Sequence, residues 1–156
     1  MSRAIEFKSG WLVCQAQVLS SLNIAETTAS RRRGLIGQSE IDTPLLIDSC
    51  KWIHTFGVKC PLDVAYLDAK MQVIKISKMK PLRLAMPVLK AKHVLEAGAG
   101  TFENWGLAVG HTLEARRTCR ATLRTTRELQ LIVVHSFSLL RRSAISVICR
   151  NARLTR

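Results

Sequence analysis

The sequence predicts a mainly β domain of the α+β class: a small β-sandwich or barrel-like fold with one or two short helices, followed by a basic C-terminal extension. Three observations lead there. Six or more short segments read as strands, the clearest being LDVAYLD (62–68) and MQVIKISKM (71–79), joined by a turn at Ala69-Lys70. Only two segments carry a helix cap followed by a stopping glycine, one near residues 27–37 and one at 101–110. The length of 156 residues and the apolar fraction of 47 % suit one domain with a real core. Aromatics are only 5 %, so that core rests on Leu, Ile, Val and Ala.

Along the chain, WLVCQAQVL (11–19) alternates partly with period two and reads as a strand, with LNIA (22–25) as a short second one. In ETTASRRRGLIG, Thr27 or Thr28 caps a short helix that Gly34 or Gly37 ends. Arg31 to Arg33 then form a solvated face at the helix C-terminus, where cations are favoured without any anionic ligand. PLLIDSC (44–50) and WIHTFGV (52–58) read as two strands close enough to pair as a hairpin. Pro61 interrupts the chain before 62–68, and Pro81 and Pro87 bracket a loop. HVLEAGAG (93–100) is a strand running into a glycine turn, Thr101 caps one helical turn in TFENWGLAVG (101–110), and HTLEAR (111–116) supplies a last strand.

The net charge of +13 is unevenly spread. Residues 1–114 carry 14 Lys+Arg against 10 Asp+Glu, whereas residues 115–156 carry 10 Arg against the single Glu128. The domain boundary is therefore set near residue 116: a β-rich domain over 1–116 and an Arg-rich extension over 117–156, helical or poorly ordered. The domain gives no reason to expect a nucleic-acid partner. For the extension, LQLIVVHSFSLLRRSAISVIC (129–149) admits weak contact with an anionic membrane surface. Nucleic-acid contact has only Phe137 for stacking and no recognisable module. The favoured reading is a segment outside the evolved domain, because Lys gives way to Arg alone, as translation in a shifted frame would produce.

Cys14, Cys50, Cys60, Cys119 and Cys149 form no CxxC pair, so reduced thiols in a cytoplasmic protein are expected, and neither a disulfide scaffold nor a zinc site. No segment is long and apolar enough to span a bilayer.

RRRGLIGQSEID, LLIDSCKWIHTFGVKCPLDVAYLD and VLEAGAGTFENWGLAVGHTLEAR, in that order and spacing, resemble the bacterial and archaeal family called domain of unknown function 192 (DUF192), over about residues 17–116. The Arg-x-Gly-Leu, His-Thr-Phe-Gly, Pro-Leu-Asp-Val and Val-Leu-Glu-x-x-x-Gly elements of that family are all present. Val58 stands where relatives usually have methionine, and His111 where VGD is usual. The resemblance implies a compact, mainly β fold with a helix near its N-terminus, no established activity, and no counterpart for the chain beyond about residue 117.

Polar groups inside apolar strands are the candidates for function. They are His54, Asp63 and Glu96, with Trp52, Phe56 and Arg33 as further walls of a binding cleft. If the strands carrying His54 and Asp63 are neighbours, imidazole and carboxylate meet on one sheet face, where such a pair binds a metal, acts as a base or simply hydrogen-bonds. No HxH, HExxH or CxxC spacing forces ligands to converge, so a hydrogen-bonded structural His54 is expected ahead of a metal ligand, and no cofactor is expected. Asp63 also suits an Asx-type turn after Pro61-Leu62, and Asp68 suits the hairpin turn before Ala69-Lys70. Glu96, between apolar positions and a glycine turn, faces either a concave end of the domain or solvent. There is no nucleophile elbow or glycine-rich phosphate loop, and Cys60 beside Lys59 has no assigned base other than distant His54. The resulting reading is a non-enzymatic binding or accessory module with a partner still to be found. The alternatives are a small hydrolase or metal-dependent enzyme using His54 with Asp63 and Glu96, and membrane association through the tail.

Overall fold

The computed structural model describes residues 6–118. Its elements are β1 (Lys8–Cys14), β2 (Gln17–Ala25), α1 (Thr28–Arg33), β3 (Leu45–Asp48), β4 (Leu62–Leu67), β5 (Val73–Met79), β6 (His93–Gly98), α2 (Thr101–Asn104) and β7 (Leu113–Arg117). The strands form one sheet in the order β5-β4-β6-β3-β2-β1-β7. Neighbours are antiparallel except β2 and β3, which run parallel because α1 lies between them in the chain. A bridge between Gln72 and Thr112, and a bond from Val73 N to the His111 carbonyl at 2.8 Å, bring the two outer strands together. The fold is mainly β, as expected, and its sheet curls in the barrel-like sense.

Both faces of the sheet are covered. The inner face of the curl packs Leu12, Leu22, Leu46, Leu67, Leu95 and Leu113. The other face packs Leu45, Ile47, Val64, Tyr66 and Val94 against Leu35, Ile53, Val58 and Ala91 from the connecting segments. β4 is therefore buried along its whole length, which is why LDVAYL lacks a polar alternation.

Three local expectations are corrected. Residues 11–19 do not make one strand. Gln15 and Ala16 take φ of 48° and 65°, the chain reverses there, and β1 pairs with β2, whose end includes 22–25. Residues 52–58 are not a strand either, and β3 pairs with β2 and β6 instead. Here the backbone is committed to the 80–91 loop: Thr55 N donates to the Arg83 carbonyl at 2.8 Å, and the buried Thr55 hydroxyl donates to the Lys80 carbonyl at 2.8 Å. His54 keeps one isolated bridge, to Leu84. Thirdly, Thr101 does not cap α2. Gly100 occupies that position in the left-handed region and offers no side chain, so Asp63 Oδ2 accepts from Phe102 N at 3.1 Å from across the fold.

Thr27 does cap α1, through a reciprocal box in which Ser30 N donates to Thr27 Oγ1 and Thr27 N to Ser30 Oγ, both at 3.1 Å. β7 runs to Arg117, one residue past the expected boundary. The expectations for residues 119–156 lie outside the described residues. Among the described residues no helix is long and apolar enough to cross a membrane, and Cys14, Cys50 and Cys60 are free.

Candidate functional site

Glu96 is the floor of the site. On β6 it pairs with Leu45 of β3 and Val64 of β4, and it alternates with Val94, so its side chain points to the face covered by α1. It is 4 % exposed, and burial pushes its carboxyl up to about 8. At neutral pH it is mostly a carboxylic acid, able to donate a hydrogen bond as well as accept one.

Above it opens a cavity of about 440 Å³. Ile36, Ile47, Ile53 and Val58 supply apolar wall, and Arg31, Arg32 and Arg33 come from the end of α1. The volume lies within the range of small-molecule sites. Gly34 ends α1 at φ 47° and ψ −133°, a backbone conformation open to glycine. A Cβ there would stand 4.0 Å from Glu96 Oε2, so the helix end passes directly over the carboxyl.

Two further proton-bearing groups lie beside Glu96. Cys50 Sγ donates to the Trp52 carbonyl at 3.0 Å; burial raises its thiol pKa, that hydrogen bond opposes the rise, and Glu96 and Arg31 add smaller raising and lowering effects. The Tyr66 hydroxyl is pushed up to about 12 by burial, with smaller contributions from Cys50 and Glu96. Tyr66 lies in the core behind the cavity, whereas Glu96 and Cys50 line it, so at neutral pH the floor is polar but largely uncharged while the rim is cationic. Burial is the cause of the Glu96 shift, and no ion pair with Arg31, Arg32 or Arg33 offsets it.

His54 lines the same cavity with its Nδ1 buried and without a hydrogen-bond partner among the described residues. The partner expected for a structural histidine is missing there. Its ring lies between Trp52 and Phe56, at centroid distances of 6.3 and 5.5 Å. The structure therefore brings His54, Glu96, Trp52 and Arg33 to one cavity, with Phe56 against the His54 ring.

Asp63 is not among them. It pairs with Ala97, shares the inner face with Ala65, and spends Oδ2 on the start of α2. An imidazole–carboxylate meeting of His54 with Asp63 on one face is thereby corrected. Trp105 packs on Phe102 at 5.8 Å, and Glu103 pairs with Lys78. Asp68 Oδ1 closes the hairpin turn by accepting from Lys70 N at 2.8 Å and Gln72 N at 2.9 Å. Among the described residues no group of three or more His, Cys, Asp or Glu converges as a metal site. Sequence reasoning misses Cys50 and Tyr66; the available signal is the two-residue spacing that puts Tyr66 on the face of Val64, the residue Glu96 pairs with.

A second cavity of about 440 Å³ opens elsewhere, beside Asp48, His93 and Arg117, where His93 Nδ1 lies 2.8 Å from Asp48 Oδ1.

The profile of the DUF192 family, described as "Uncharacterized ACR", matches residues 12–115. The UPF0127 protein PF1050 of Pyrococcus furiosus is 29 % identical over 65 residues, 42 % of this chain and 56 % of that protein. The chain thus spans little more than half the length of that relative. Solved structures of similar fold include these two. A Sinorhizobium meliloti protein named as a candidate transcription regulator gives a TM-score of 0.59 at 20 % identity, over 74 % of this chain and 98 % of that one. A protein of unknown function from Novosphingobium aromaticivorans gives 0.58 at 16 % identity, over 72 % and 87 %. At these identities the likeness shows the fold.

Proposed function

We propose that this chain, which belongs to the DUF192 family, is a non-enzymatic binding module that seats a small organic anion over Glu96. One observation carries the reading: a buried carboxyl, its pKa raised to about 8, forms the floor of a cavity whose rim carries three arginines. A protonated Glu96 donates to a ligand oxygen without repelling its charge. The guanidiniums hold the anionic group by charge-assisted bonds. The isoleucines and Val58 accommodate an apolar body.

The hydrolase or metal-dependent alternative draws no support from Asp63, which lies on the other face of the sheet. A cytoplasmic location goes with the same reading and is supported by the free thiols of Cys14, Cys50 and Cys60.

The test is a titration of the full chain with a graded set of small carboxylates and phosphate esters, followed by amide and His54 ring NMR shifts. Shifts confined to α1, His54 and β6 are expected. Arg32→Gln with Arg33→Gln should weaken binding by about tenfold, the scale of one or two charge-assisted bonds. Glu96→Gln, which keeps a donor, should retain binding, whereas Glu96→Leu should lose it. Equal binding by Glu96→Leu would end the proposal.

A further inference from the structure

The four most exposed large apolar side chains among the described residues fall within one eight-residue segment. Leu82, Leu84, Met86 and Leu89 are 70, 63, 78 and 80 % exposed. A flexible loop would be free to fold such residues inward. This one is pinned to residues 51–55 by bonds from Leu82 N to the Thr55 carbonyl, Ala85 N to the Ile53 carbonyl and Val88 N to the Lys51 carbonyl, at 3.2, 3.0 and 2.9 Å. The smaller Ala85 and Val88 pack on the core, and the larger side chains are turned out. That is the reverse of what burial alone would select.

The charge around the segment has one sign. Residues 80–92 contain Lys80, Arg83, Lys90 and Lys92 and no acid, and the facing segment 51–59 adds Lys51 and Lys59, again with no acid. All six are exposed. Half-exposed Trp52 and Phe56 lie on that facing segment.

We infer that the 82–89 loop docks the protein on the surface of an anionic lipid bilayer. Leu82, Leu84, Met86 and Leu89 enter the interfacial zone, and the six cations remain at headgroup level. Side chains this exposed project outward from the loop, which suits a fluid bilayer better than a shaped protein partner. Aromatic rings such as Trp52 and Phe56 favour the same depth. The inference rests on the 82–89 loop and not on ligand binding over Glu96, although Trp52 also lines that cavity.

The experiment is flotation of the full chain with vesicles of phosphatidylcholine alone and of phosphatidylcholine with one third phosphatidylglycerol, at low and high salt. The comparison chain carries Leu84→Ser, Met86→Ser and Leu89→Ser, with circular dichroism to confirm that it folds. Both chains keep residues 119–156, so any contribution of that segment cancels. The wild type should float with the anionic vesicles, lose most of that binding in high salt, and bind at least about tenfold more strongly than the serine variant. A folded serine variant that floats equally well overturns the inference. So does a wild type that ignores anionic vesicles, the result expected if an acidic protein is the natural occupant.

Discussion

Asp63 pairs with Ala97 while Val64 pairs with Glu96, so two buried carboxyls sit one register step apart on adjacent strands and point to opposite faces of one sheet. That step decides their chemistry. Asp63 meets the open start of a helix and accepts a hydrogen bond. Glu96 meets a cavity and is forced towards its neutral form by burial.

The Glu96 environment makes stability depend on pH with a definite sign. Its folded pKa of about 8 lies above the ordinary 4.5, so between these values the folded state binds more protons than the unfolded state. Below that window the acid is protonated in both states and burial carries no ionic cost. As pH rises through the window stability falls, by up to about 1.4 kcal/mol per pH unit from this group, and the loss levels off once the folded state also ionises. Urea unfolding from pH 5 to 8.5 should show this slope in the wild type and a much flatter line in Glu96→Gln.

Asp63→Ala leaves the Phe102 N–H without its acceptor at the start of α2. Stability should fall by about 1–3 kcal/mol, the usual range for orphaning a buried donor. Asp63→Asn retains an acceptor oxygen and should cost less. Chemical denaturation checks both, and amide shifts around His54 should stay in place.

Gly34→Ala tests the turn over the carboxyl. With φ at 47° and ψ at −133°, any Cβ there is strained, and this one would approach Glu96 Oε2 to 4.0 Å. A loss of about 1–3 kcal/mol in unfolding free energy is expected from the backbone strain, with amide shifts at Leu35 and Glu96.

Thr55→Val keeps the shape of the side chain but removes its hydroxyl from the Lys80 carbonyl and from Arg83 N, which donates to it at 2.9 Å. The expected cost is about 1–3 kcal/mol. Faster hydrogen exchange at Leu82 and Ala85, with little change in β4, would localise the effect to the 80–91 loop.

The sequence announced some of this and hid the rest for physical reasons. The β4–β5 hairpin is legible because apolar runs flank a turn whose Asp68 accepts from two backbone amides. The β1–β2 reversal is not, since Gln15 and Ala16 are left-handed without being glycine or asparagine. WIHTFGV looks like a strand in composition, yet strand formation needs a partner edge, and its hydrogen bonds go to a loop. His54, Trp52, Arg33 and Glu96 could be picked out as candidates. Separating Asp63 from them required the register of β4 against β6, where a single step exchanges the faces. Cys50 and Tyr66 become neighbours of Glu96 because β6 lies between β3 and β4, an order the linear chain does not display.

At Gly10 the first strand meets the last: it pairs with Arg117, and a Cβ there would lie 2.6 Å from the Arg116 carbonyl oxygen. For a chain emerging from a ribosome this sets a schedule. β1 hairpins with β2 early, but its second edge stays bare until residues 113–117 have been made. β3 likewise waits for residues 93–96 before its antiparallel neighbour exists. Sheet completion thus waits for residues 113–117, and until they are made the nascent chain carries open strand edges, the surface most prone to mispairing.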